Sequence, residues 1–176
     1  MIRAFARLQE DPQLDTKQLG KRLRLILVGG GDQQSELALL AKSLGVRDKV
    51  TFVGPVAHGD VPTWLNQLDI YAAASRLESE SFGVAVIEAS ACGLPVVVSD
   101  VGGLPEVVQD GVTGFVVPRE DPEALAAAIK RLVLDESLRR RMGQAGRQFV
   151  LSTYEWERCV DTMEAVYREV ITTSQS

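Results

Sequence analysis

A chain of 176 residues has the length of one domain, enough to wrap helices around both faces of a sheet with a single core. Its 45% hydrophobic and 24% charged composition is ordinary for a globular protein. The formal net charge of -5, with both signs mixed along the chain, leaves no basic stripe for a phosphate backbone and excludes nucleic acid as the expected partner. No apolar run approaches the roughly 18 residues of a membrane span, and residues 1–10 lack a cleavable signal pattern, so the expected compartment is cytoplasmic.

In chain order, residues 1–8 carry the apolar face of a helix through Ile2, Phe5 and Ala6, although a doubly wound domain normally begins with a strand. Residues 23–28 read as a strand that ends at Gly29, Gly30 and Gly31. Asp32 then opens a helix in which Leu37, Leu40, Ala41 and Leu44 recur at helical spacing. Residues 49–53 are a second strand, stopped by Gly54 and Pro55. Asp60, two residues before Pro62, suits the cap of a short helix through Gln67. Residues 69–73 form a third strand and residues 83–92 a helix. Residues 95–99 are a fourth strand, so apolar that both faces must be covered. Residues 115–117 make a short fifth strand. Beyond Pro118 the pattern turns helical, with Asp121, Pro122 and Glu123 as a start signal for a helix reaching Leu134. Two more helices are expected over 136–151 and 155–170, with a frayed tail from Thr172. This alternation predicts an α/β domain with an open, mostly parallel sheet, helices on both faces and a ligand at the carboxyl ends of the strands. Cys92 and Cys159 match no metal or redox spacing, and two reduced thiols packed as small apolar groups are expected.

The chemistry concentrates between Glu80 and Glu106. Glu80 lies just before a helix and Glu88 inside it. The amides of Phe82, Gly83 and Val84 sit at that helix's N-terminus, where the aligned peptide dipoles favour an anion such as a diphosphate. Glu88 follows about one turn further in, among Val84, Ala85, Val86, Ile87, Ala89 and Ala91. A helix with so little polar surface is expected to be covered on most sides, and a covered carboxylate needs donors such as two ribose hydroxyls. The alternative is that Glu88 is the solvent-facing residue of a short helix.

These residues, with Gly93-x-Pro95-Val96-Val97 and Gly102-Gly103-x-Pro105-Glu106 after them, resemble the C-terminal domain of retaining GT-B glycosyltransferases of the large GT4 family. Asp110-Gly111-x-Thr113-Gly114-Phe115, Val28 to Gly31, Phe52-x-Gly54 and Tyr154-x-Trp156 extend the likeness over nearly the whole chain. The resemblance implies a Rossmann-like domain, the C-terminal half of a GT-B fold, spanning 1–176. It implies that Glu80 stands beside the transferred sugar, that Glu88 holds the nucleotide ribose, and that Ser81, Phe82, Gly83 and Val84 meet the donor phosphates. Gly29, Gly30 and Gly31 would line the same cleft, and Gly54, Pro55 and Val56 would pass the nucleobase. The implied substrate is a nucleotide diphosphate sugar, with no bound metal and no further cofactor.

The family's first strand, with an arginine and a following lysine that offset the leaving diphosphate, would precede the helix at residues 1–8. Arg3 and Arg7 lie inside that helix and are not assumed to substitute. The acceptor-binding N-terminal domain has no counterpart in these residues, so the chain alone is expected to be inactive. Two other readings remain open: a nucleotide-binding fragment without turnover, and a GT-B relative such as a sugar-nucleotide epimerase. The dinucleotide fingerprint fails at Gln34, His58 reads as a solvated loop residue, and Asp100 and Glu106 suit a loop end. The Arg139, Arg140 and Arg141 run reads as a solvated helix face, with membrane-surface contact of the full enzyme as a minority reading.

Overall fold

In the computed structural model, residues 1–76 and 82–173 are described. Strand β4 (Val96–Ser99) is buried at every position, as a strand covered on both faces should be. It lies between β3 (Tyr71–Ala73) and β5 (Gly114–Val117), and both pairings are parallel. A second, two-stranded parallel sheet joins β1 (Leu25–Val28) to β2 (Val50–Gly54). The α/β class and the parallel pairing match the sequence expectation. The single open sheet is instead divided between β1 and β3.

Helix α1 (Ile2–Gln9) spans the division. Its Ala4 and Leu8 join the core of the larger sheet with Val97, Phe115, Leu125 and Leu132, while Ile2, Phe5 and Ala6 join Ala41, Val46 and Val50 over the smaller one. On the opposite face of the larger sheet, Val96 and Val98 pack with Val86, Ala89, Leu104 and Val107. Helices α2 (Pro12–Thr16) and α3 (Leu19–Arg22) fill a stretch with no predicted element, although Asp11 before Pro12 carries a start signal. Asp11 accepts hydrogen bonds from the Gln13 and Leu14 amides and pairs with Lys130 at 2.7 Å, tying α2 to α7 (Pro122–Leu134).

Helix α4 (Gln34–Ser43) follows β1, and α5 (Val61–Leu65) follows β2. Asp60 precedes α5 without a side-chain cap bond, because a 3-10 turn at His58–Asp60 already leads the chain into the helix. Asp121 does cap α7, accepting from the Glu123 and Ala124 amides at 2.9 Å. In helix α8 (Glu136–Thr153), Arg140 pairs with Glu136 and Arg141 donates to Ser137 along the helix's own surface, while Arg139 donates to the Leu132 carbonyl of α7. Helix α9 (Trp156–Thr173) extends past the expected fraying point and buries no side chain, which leaves Cys159 exposed instead of packed. No described helix is long and apolar enough to cross a membrane.

Candidate donor site

The turn after β1 and the turn after β2 are brought together by backbone. The Gly29 amide, just past β1, donates to the Gly54 carbonyl at the end of β2 at 2.9 Å. A Cβ on Gly30 would stand 3.2 Å from Pro55 Cδ, so the glycine turn rests on the proline ring. Gly29 and Gly54 have φ of 132° and 84°, which side chains other than glycine rarely adopt. The predicted residues Gly29, Gly30, Gly31, Gly54 and Pro55 therefore form one surface at the carboxyl end of the smaller sheet, with Val56 half-buried just beyond it.

Helix α6 (Val84–Ala91) supplies the second surface. Gly83 is its N-cap in the left-handed region, at φ 78°, and as a glycine it brings no side chain of its own to the first amides. The glycine is required twice: a Cβ there would also stand 2.9 Å from Leu104 Cδ2 and 3.3 Å from Val107 Cγ2. The helix is open only at its start, where Val84 is 57% exposed and Ala85 is exposed; Val86, Ala89 and Ser90 are buried and Ile87, Glu88 and Ala91 half-buried, as the expectation of cover on most sides has it. Its buried face packs with β4 and the 104–107 turn, and its open face is confined to the first turn.

Glu88 lies on the margin between those faces, with 29% of its side chain exposed. It is neither a free surface group nor a buried one. Its Oε1 stands 3.7 Å from His58 Nδ1, a residue of the turn after β2. His58, read from sequence as a solvated loop residue, is thus 87% exposed yet next to the ribose candidate. The spacing of 30 positions gives no sequence signal for that contact. Through it, the surface built from β2 meets the surface built from α6.

Phe82 is 43% exposed and its ring meets Tyr154 edge-on at 5.7 Å, and Tyr154 meets Phe149 at 5.9 Å in the same way. The C-terminal end of α8 therefore anchors the entrance to α6. Burial, reinforced by the charge of Glu106, raises the Tyr154 phenol above its ordinary value. Glu80 and Ser81 lie outside the described residues, and so does the remainder of 77–81.

Other motif residues shape the fold. A Cβ on Gly114 would run into the Val96 carbonyl, and one on Gly143 into the Gly93 carbonyl, so β5 and α8 approach their neighbours at backbone contact. Asp110 accepts from the Val116 amide and Thr113 from the Gln109 amide, both at 2.9 Å, which folds the loop before β5 onto itself. Arg147 donates to the Ala91 carbonyl at the end of α6. Of the N-terminal cations, Arg7 pairs with Glu123 at 2.9 Å, and Arg3 lines the cavity at the carboxyl ends of the strands. Among the described residues, no group of three or more His, Cys, Asp or Glu side chains is placed to share a metal ion.

The family model for glycosyl transferases group 1 matches residues 1–149. The chain belongs to that family. It is 37% identical to a D-inositol 3-phosphate glycosyltransferase of Salinispora arenicola, over 97% of this chain and 38% of the relative. It is 34% identical to an N-acetyl-alpha-D-glucosaminyl L-malate synthase of Bacillus anthracis, over 97% of this chain and 42% of that protein. Among solved structures, sucrose-phosphate synthase from Thermosynechococcus elongatus superposes with a TM-score of 0.79 at 31% identity, covering 98% of this chain and 42% of that one. Anabaena HepE, solved with UDP and with UDP-glucose, superposes with TM-scores of 0.75 and 0.74 at 26% and 27% identity, over 98% of this chain and 44% of that one. The chain thus spans about two fifths of the length of these relatives, and its fold is that of the C-terminal half of a GT-B glycosyltransferase.

Proposed function

We propose that this chain holds the nucleotide-sugar donor of a retaining glycosyl transfer, the acceptor side being supplied by the remaining three fifths that its relatives possess. The observation that carries this reading is Glu88, a half-covered carboxylate one turn behind the glycine-capped N-terminus of α6 and opposite the loop that follows β2. An α-helix rises about 5.4 Å per turn, a spacing suited to a ribose on Glu88 and a diphosphate on the amides of Phe82, Gly83 and Val84. Glu80 would stand at the transferred sugar and Ser81 beside the phosphates. Gly29, Gly30 and Gly31 would line the cleft, and Gly54, Pro55 and Val56 would flank the base.

Stabilising the departing diphosphate is then electrostatic, through helix-start amides rather than a resident cofactor or metal. HepE, at 26% identity, was solved with UDP, which supports a nucleoside diphosphate as the ligand class. A cytoplasmic setting, with the full enzyme touching a membrane surface, fits the mixed-charge surface of α8 and the lack of a spanning helix among the described residues. Binding without turnover and epimerisation are less favoured, because the relatives named above are transferases or synthases.

The test is calorimetric titration of the chain and of Glu88→Ala with UDP, GDP and ADP. Loss of the carboxylate removes charge-assisted hydrogen bonds worth about 1.5–3 kcal/mol each. Equal affinities for parent and variant with every nucleotide would take Glu88 out of the site.

A further inference from the structure

Four contacts set α8 antiparallel to α6. A Cβ on Gly143 would run into the Gly93 carbonyl, one on Gly146 would stand 3.6 Å from Ser90, Arg147 donates to the Ala91 carbonyl, and the Tyr154 ring meets Phe82. Along α8 from Gly143 to Tyr154 the partners therefore run back from Gly93 to Phe82, so α8 backs the whole of α6. The two ends are held by different means. At the C-terminal end the glycines bring backbone to backbone, and the Arg147 guanidinium lies at a carbonyl where the helix dipole is negative. At the N-terminal end the tie is made by rings: Phe149 meets Tyr154 at 5.9 Å and Tyr154 meets Phe82 at 5.7 Å, both at 89°, the edge-on geometry that aromatic quadrupoles favour.

The N-terminal end is also where a hold is needed. Gly83 separates Phe82 from the helix, and a glycine restrains the backbone least of all residues. Gly83 itself is buried, and Leu104 and Val107 leave no room for a Cβ there, but Val84 and Ala85 after it are exposed. Packing thus fixes the middle of α6 and leaves the chain on either side of Gly83 to other restraints. Phe82 is half exposed, and the Tyr154 ring is what it meets. Tyr154 is well placed to serve as that restraint, because it is the C-cap of α8 and its amide is bound to the Val150 carbonyl.

We propose that Tyr154 is a positioning residue for the donor diphosphate: by holding the Phe82 ring, it keeps the amides of Phe82, Gly83 and Val84 in one arrangement before the ligand arrives. The inference rests on the donor reading of α6. Its action runs through Phe82 and not through contact with the ligand, since a restraint made in advance removes freedom that binding would otherwise have to remove. The contact is ring to ring, so phenylalanine can take the place of the tyrosine. The diphosphate is affected and the nucleoside is spared, because Glu88 and the Gly54 to Val56 turn lie beyond the segment that the ring holds.

The experiment compares the full chain with Tyr154→Ala, Tyr154→Phe and Val150→Ala, the last a buried residue one turn earlier on α8. UDP and uridine affinities, thermal midpoint and amide hydrogen exchange of residues 82–84 are measured in each. Tyr154→Ala is expected to speed exchange at 82–84 and to weaken UDP about two- to tenfold, the span that an edge-on aromatic pair is worth, with uridine bound as before. Tyr154→Phe keeps the parent's exchange and affinity, and Val150→Ala lowers the midpoint without weakening UDP. Parent-like UDP affinity in Tyr154→Ala overturns the proposal. So does an equal loss for UDP and uridine, or a loss of UDP affinity in Val150→Ala as large as at Tyr154, either of which would make the effect one of general stability. A Tyr154→Phe variant as weak as the alanine overturns it too, by moving the role from the ring to the hydroxyl. If the parent binds no UDP, the donor reading falls; faster exchange at 82–84 in Tyr154→Ala alone then upholds the hold on the helix start, and unchanged exchange overturns it.

Discussion

His58 Nδ1 stands 3.7 Å from Glu88 Oε1, and this contact joins a loop of the smaller sheet to a helix of the larger one. The imidazole is 87% exposed, so the pair is a contact between a solvated ring and a half-covered carboxylate. Exposed pairs of this kind contribute about 0–1 kcal/mol. His58→Ala is therefore expected to leave the denaturation midpoint nearly unchanged and to weaken nucleotide binding less than Glu88→Ala does. Parallel titrations of the two variants with UDP check this; a larger loss at His58 would make the histidine, not the glutamate, the principal nucleoside contact.

Gly83→Val is expected to harm the fold as well as the ligand. A phosphate-blocking substitution that spares the structure would need an open position, but this glycine has φ 78° and its Cβ would meet Leu104 at 2.9 Å. Backbone strain of about 1–3 kcal/mol adds to overpacking of similar size. Gly93→Ala shares the φ of 78° but faces open space, so it should cost only the backbone part. Urea denaturation of both variants measures the difference, and equal losses would mean that Leu104 and Val107 yield freely.

Asp11 gives the fold an acid-sensitive tie. Its hydrogen bond to Lys130 lowers its pKa below the ordinary value; burial, next in size, opposes this, and the Leu14 and Gln13 amides add to the lowering. A carboxyl with a lowered folded pKa stabilises above its unfolded pKa of about 4 and loses that contribution as pH falls through the folded value. The stability advantage of the parent over Asp11→Asn should thus be full at pH 6 to 7 and shrink steadily below about pH 4. Denaturation series at several pH values would show it, and a gap independent of pH would leave Asp11 acting only as the cap of α2.

The 176-residue chain by itself is expected to bind donor without transferring sugar. Arg7 is committed to Glu123 at 2.9 Å, and the chain corresponds to 38% of the length of its Salinispora relative. Positioning of an acceptor and neutralisation of the diphosphate are both large parts of rate acceleration. Assays with several nucleotide sugars, with and without a fused acceptor domain, decide the matter. Robust transfer by the chain alone would point to Arg3 or a partner subunit as the cation that meets the diphosphate.

The sequence by itself determined the elements whose cause is local. Val96 to Val98 announced a doubly covered strand, Asp121 before Pro122 a capped helix, and Gly29 to Gly31 a turn at a strand end, because apolar periodicity, capping and glycine geometry act within a few residues. The order of motifs carried the family. The tertiary structure alone decided what depends on distant partners. Leu104 and Val107 leave no room for a Cβ at Gly83, Phe82 meets Tyr154 from the far end of α8, and His58 reaches Glu88 across 30 positions. The division of the sheet between β1 and β3 was likewise invisible in the strands' own residues. An edge strand and an interior strand can share the same apolar run, and which of the two forms depends on the neighbours the fold brings alongside.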